Sequence, residues 1–164
     1  MIRIADVNAM DLPAFVAALG WVFEHSPWVA ERAWQKRPFL DAVALHAAMV
    51  RQVAGATKAE QLALLRAHPD LGTRARISGA SSEEQAGAGL DRLTAEEFAQ
   101  LQQLNEAYRQ KFGFPFLYAV KGSSKYDILM ALEQRLDSPV EAEFEEALRQ
   151  VYRIAEFRLS DMVQ

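Results

Sequence analysis

The sequence predicts an all-α fold, a single-domain bundle of about seven or eight helices covering residues 1–164. Three observations predict it. S/T-x-x-E boxes recur just ahead of apolar periodic runs, and such boxes start helices. Proline and glycine punctuate the ends of those runs. No pair of alternating apolar and polar runs suggests a sheet.

Taken in order, Asp11 precedes Leu12-Pro13, and Phe15, Leu19, Val22 and Phe23 then share one face. Ser26-Pro27 reads as an N-cap with proline at the first helical position, and Pro38 ends that segment. Asp41 caps a run through Val53 that Gly55 closes. Thr57-Lys-Ala-Glu60 is a capping box opening a helix that ends at Ala67 or His68. Ser81-Ser-Glu-Glu84 reads as a second box, and Thr94-Ala-Glu-Glu97 as a third. The helix after Thr94 stops at Phe112-Gly113, where glycine suits a left-handed position. Ser123 or Ser124 caps a helix to Leu136, and Ser138-Pro-Val-Glu141 opens a long last one. Two stretches, 68–80 and 112–122, read as irregular, and there is no internal repeat or linker.

Composition narrows the function classes. The chain of 164 residues has the length of one domain and, with about half its residues apolar, can bury a core. A net charge of -4 argues against nucleic acid or an anionic membrane as partner. Without cysteine there is no disulfide framework and no thiolate nucleophile. MIRIADVNAM does not read as a signal peptide, and no apolar run approaches the roughly 18 residues of a membrane span. The expectation is a soluble, cytoplasmic protein.

Chemistry-bearing residues fall in four places. His68 precedes Pro69, and a residue before proline is pushed out of the helical region. The imidazole therefore sits at a helix C-terminus, where the field of the last carbonyls favours imidazolium and suits proton transfer near neutral pH. The plainer role is a cap on those carbonyls. Asp70 reads as a turn residue. In SSEEQAGAGL (81–90), Glu84 either folds back on Ser81 as a capping box or faces a ligand as a carboxylate. Gly87 and Gly89 each cost roughly 1 kcal/mol relative to alanine in a helix, which suggests close packing against the backbone. FGFPFLYAV (112–120) supplies aromatic plugs and an irregular backbone beside a site. In the last helix Phe144, Leu148, Val151, Ala155 and Met162 form a stripe into which Arg158 also projects. Arg158 calls for an anion, either a carboxylate such as Glu84 or a substrate, or else its stem lies on apolar surface with the head in water. His25 and His46 read as a loop contact and a half-buried helical residue. His68-x-Asp70 is too little for a metal site, so none is expected.

HPDLG (68–72), SSEEQAGAGLDRL (81–93), LNEAYRQKFGFPF (104–116) and IAEFRLSDMV (154–163) together resemble the 2-oxo-4-hydroxy-4-carboxy-5-ureidoimidazoline (OHCU) decarboxylase family, from FEHSPWVAE (23–31) to the C-terminus. The resemblance implies an all-α homodimer without metal or cofactor, converting OHCU to (S)-allantoin on the route from urate. It implies that His68 is the catalytic acid–base residue, that Pro69 lines the ring site, and that Ser81, Glu84 and Gln85 contact the substrate. Phe116, Leu117, Tyr118, Ala119 and Val120 would offer backbone groups, and the family's helix arginine falls on Arg158. Leu117-Tyr118 stand where smaller aliphatic residues are usual, and Gly72 replaces an alanine seen in many members. Two alternatives remain: action on a related hydantoin or pterin-like ring, and a non-catalytic helical interaction domain.

Overall fold

The computed structural model describes residues 1–73 and 78–164. It is all-α, and no strand is present among the described residues. Nine α-helices are described, more than expected: α1 (Ile4–Ala9), α2 (Leu12–Leu19), α3 (Trp28–Trp34), α4 (Ala42–Ala54), α5 (Lys58–Arg66), α6 (Gly79–Gly87), α7 (Ala95–Phe112), α8 (Lys125–Arg135) and α9 (Val140–Ser160). A 3₁₀ turn, Gly20–Val22, follows α2. The sequence reading passed over α1, whose N-cap Arg3 makes no side-chain cap bond. No described helix is long and apolar enough to cross a membrane.

The caps explain why the helices begin where they do. Asp11 accepts from the Ala14 N–H and Asp41 from the Ala44 N–H. Thr57 with Glu60, Thr94 with Glu97 and Ser124 with Asp127 form complete capping boxes. Gly113 ends α7 in the left-handed region, at φ 81°. Two expected caps differ. The Ser26 hydroxyl donates to the Glu24 carbonyl, and α3 starts after Pro27 without a side-chain cap. Ser81 is not an N-cap: Ser78 is, accepting from the Ser81 N–H at 3.2 Å. The helix therefore starts three residues earlier than the 81–84 box implied, because serine recurs at the same spacing. Ser81 and Glu84 lie within α6 rather than at its mouth.

The chain folds into two compact units. The first comprises residues 1–67 and 152–164, with α2 packed on α3 and α3 on α4 around Phe15, Leu45 and Met49. Phe15 stacks on Phe39, and His46 Nε2 pairs with the Tyr152 carbonyl at 2.8 Å. The second unit is residues 68–151. Here α7 packs on α8, and Tyr108, fully buried, meets the rings of Phe112, Phe114 and Phe116 at 4.5–5.9 Å between centroids. The FGFPF motif is thus core, as its apolar character suggests. The expected irregular stretch 68–80 falls partly on 74–77, outside the described residues.

Candidate active site

His68 opens the second unit. Helix α5 ends at Arg66 with Ala67 as its cap, so the imidazole stands just beyond the helix, buried to 8% exposure. The turn that follows is fixed by side chains from two helices. Gln85 of α6 accepts from the Gly72 N–H through Oε1 at 2.9 Å. Asn105 of α7 donates from Nδ2 to the Leu71 carbonyl at 3.0 Å. Arg109, also on α7, pairs with Asp70. Gly72 itself lies at φ 72°, and a Cβ there would stand 2.4 Å from Leu101 Cδ2. This turn accepts only glycine without rearrangement.

Ser81 and Gln85 are buried one turn apart on the same face of α6, while Glu84 is half-buried beside them. The glycines after them have a different reason from the one expected. A Cβ on Gly87 would meet nothing within 4 Å. Gly89 has φ 84° and closes a Schellman turn, with the Leu90 N–H on the Gln85 carbonyl and the Gly89 N–H on that of Ala86.

The segment 116–120 is pinned from behind. Arg135, the last residue of α8, donates from Nη1 to the Leu117 carbonyl and from Nε to Glu143 Oε1 at 2.6 Å. Gln150 of α9 accepts from the Ala119 N–H at 2.9 Å. Those two main-chain groups are therefore already engaged inside the unit. Glu143 is 1% exposed and also accepts from the Tyr108 hydroxyl at 2.6 Å. Burial and the adjacent carboxylate push the Tyr108 phenol far above its ordinary range, so it remains a neutral donor.

In the first unit, Arg158 is 4% exposed, as its place in the stripe predicts. Its anion is Glu24, 2% exposed, at 2.9 Å from Nη2, and Nη1 reaches the carbonyls of Trp21 and Val22 at 3.3 Å each. Sequence reasoning named Glu84 as an example of such a partner and did not single out Glu24, which lies 134 residues away. His25 has φ 46°, and its Nε2 lies 3.8 Å from Glu24.

A cavity of about 400 Å³ lies in the second unit, lined by Asp70, Leu71, Gly72, Thr73 and the α7 residues Phe98, Leu101, Gln102, Asn105 and Glu106. None of the residues nominated from sequence lines it. Its wall includes the turn that Gln85 and Asn105 hold. Among the described residues no group of three His, Asp or Glu side chains could hold a metal ion.

The profile of the OHCU decarboxylase family matches residues 8–160. The chain belongs to the OHCU decarboxylase family. Its relatives include the 2-oxo-4-hydroxy-4-carboxy-5-ureidoimidazoline decarboxylase of Haloferax volcanii, 48% identical over 98% of this chain and 95% of the relative. The uric acid degradation bifunctional protein PucL of Bacillus subtilis is 45% identical over 99% of this chain, which spans 33% of that longer protein. Among solved structures, an (S)-allantoin synthase superposes with a TM-score of 0.82 at 32% identity, over 99% of this chain and 54% of that one.

Proposed function

We propose that the protein is a carboxy-lyase that decarboxylates OHCU stereospecifically to (S)-allantoin, with His68 as the acid–base residue. One observation carries the assignment of His68: a buried imidazole released from the end of α5 and followed by a turn that three other side chains hold in place.

The substrate carbon that loses CO₂ carries a hydroxyl and adjoins a ring C=N. When the C–C bond to the carboxylate breaks, its electron pair moves toward that C=N. The former C=N nitrogen takes up a proton, its carbon, which bears the ureido group, takes a second, and the hydroxyl gives one up to become the carbonyl of allantoin, so one proton is consumed for each carboxylate lost as CO₂. The ring is its own electron sink, so the protein's work is to orient the carboxylate out of the ring plane and to move protons on one face. His68 takes the hydroxyl proton or delivers one to the ring. Glu84 accepts from ureido or ring N–H groups, with Ser81 beside it and Pro69 against the ring. Gln85 has its Oε1 committed to Gly72, so its Nε2 is the atom left for substrate. Its complement is a substrate oxygen rather than an N–H. Arg158, oriented by Glu24, takes an anionic group of the substrate.

The resemblance to the family also supports a homodimer and a cytoplasmic location. Tyr126 and Met130, 65% and 59% exposed on successive turns of α8, are apolar surface that a second copy would cover. Sedimentation equilibrium returning only an 18.4 kDa species would remove the dimer from this reading.

The deciding experiment generates OHCU in place from urate with urate oxidase and hydroxyisourate hydrolase. Its decay is followed by ultraviolet absorbance and its product by circular dichroism. The expected result is fast decay to optically active allantoin, abolished in His68→Asn. Slow decay to racemate with the folded protein present would reject OHCU as substrate and favour a related ring.

A further inference from the structure

We infer that Asn105 is a positioning residue: through the single peptide between Leu71 and Gly72 it sets which end of the Gln85 amide faces the substrate. The inference deepens the decarboxylase reading and rests on it only for the identity of what Gln85 contacts.

Residues 70–73 form a turn, closed by the Thr73 N–H on the Asp70 carbonyl at 3.3 Å. Gly72, its third residue, lies at φ 72° while Leu71 keeps a negative φ, which is type II geometry. Type I geometry closes the same four residues with the middle peptide turned over, and glycine accepts both. The middle peptide is therefore a two-state element, and the bonds at its two ends select its state. It is trans, so its C=O and N–H point opposite ways. The Leu71 carbonyl accepts from Asn105 Nδ2 on α7 at 3.0 Å, and the Gly72 N–H donates to Gln85 Oε1 on α6 at 2.9 Å. Three amides thus run head to tail, and turning one over requires turning all three.

Both ends of this row bear on its use. Gln85 is 7% exposed, and its other pole, Nε2, has no partner among the described residues. A buried amide with an unpartnered donor is completed by a ligand oxygen. At the far end, Asn105 is 6% exposed, and its Oδ1 is buried without a partner. An apolar side chain would suit the α7 stripe of Leu101, Tyr108 and Phe112 better. The amide is therefore there for the donor it gives to Leu71. Arg109, one turn further along α7, holds Asp70. Helix α7 so fixes the frame of the turn as well as the sense of its middle peptide.

The test is Asn105→Asp. An ionised carboxylate only accepts. It takes the Gly72 N–H, the peptide turns over, and Gln85 rotates to give Nε2 to Leu71 and Oε1 to the substrate. At about pH 8 the variant raises KM for OHCU by about tenfold, with a smaller change in kcat. Its crystal structure shows Gly72 at φ about −90° in place of 72°. The charged groups about position 105 are Glu106 and the Asp70–Arg109 pair, all present in the parent. Lowering the pH protonates the introduced carboxyl, which then donates to Leu71 as the amide does, and KM returns toward the parent value. Asn105→Leu is the uncharged variant that keeps the melting temperature. It raises KM about threefold, because the row loses its anchor without being reversed. In a Gln85→Leu background neither substitution changes KM further, whereas a merely structural role multiplies the two effects. A positive Gly72 φ in the ionised Asn105→Asp protein, or KM factors that persist without Gln85, overturns the inference and leaves the decarboxylase intact. If the parent fails to turn over OHCU but Asn105→Asp still inverts Gly72, the amide row stands and the assigned reaction falls.

Discussion

Replacing Gly72 with alanine should destabilise the protein by about 2–5 kcal/mol. Two independent costs add. The left-handed φ of 72° costs a residue with Cβ roughly 1–2 kcal/mol. The new Cβ also falls 2.4 Å from Leu101 Cδ2 and 3.2 Å from Leu93 Cδ1, and overpacking of that kind costs about 1–3 kcal/mol. In a chain of this size each kcal/mol moves Tm by about 2–4 °C, so the expected drop is about 4–20 °C. Thermal melts followed by far-ultraviolet circular dichroism measure it. Trimming Leu101 to valine in the Gly72→Ala background should recover the steric share, about 1–2 kcal/mol of coupling, and leave the backbone share. Gly87→Ala is the internal control, because a Cβ there meets nothing within 4 Å, and it should be neutral or stabilising by up to about 1 kcal/mol. Equal melting shifts for the alanines at 72 and 87, or no coupling between 72 and 101, would refute the reasoning. The resemblance places alanine at this position in many family members. In this chain Leu101 occupies the space that such a methyl would need.

The other expectations concern charge. Arg158→Met leaves Glu24 buried without its cation and should cost about 3–5 kcal/mol by chemical denaturation. Adding Glu24→Leu should recover much of that stability but none of the activity, which separates the structural pair from the anion-binding role. Glu60, paired with Arg32 and within the Thr57 capping box, has its carboxyl held down to about 2 from 4.5. A depressed carboxyl stabilises the fold above its unfolded value, and that contribution is lost as pH falls through the folded one. The stability advantage of the parent over Glu60→Gln, a change that keeps the capping box, should therefore shrink between pH 4.5 and 2. An advantage constant across that window would refute the pairing.

What was legible in the sequence was local. Asp41, Thr57 and Thr94 cap as read, and of the two serines offered at 123 and 124 it is Ser124 that caps, because a cap and its N–H lie three residues apart. The same locality misled at Ser81, where Ser78 offered the same hydroxyl one step earlier. Arg158 was found because a cation in an apolar stripe needs an explanation, but its partner Glu24 is remote in sequence. The same logic would have found Asn105, which sits in the α7 stripe of Leu101, Tyr108 and Phe112. Glu143 escaped because α9 buries a wider arc than its stripe, taking in Ala147 and Gln150 as well. The roles of Gln85, Arg135 and Gln150 were not legible, since each bonds a main-chain atom, and main-chain atoms leave no mark on the sequence.

The two ends of the chain are tied together: Ile2 donates to the Met162 carbonyl, Gln164 to that of Ile2, and Ile4 to that of Gln164. The unit they close is therefore interrupted by the whole of residues 68–151. On a ribosome the first 67 residues emerge early but lack their last pieces until residues 152–164 follow. At 5–20 residues per second that wait is about 5–20 s. During it the contiguous stretch carrying His68 and the pinned Tyr118 can form its own contacts. The half of the molecule made first is the half finished last, and whatever keeps its apolar faces from aggregating in that interval matters for yield. Linking the tied ends and opening the chain elsewhere would remove the delay without changing a contact.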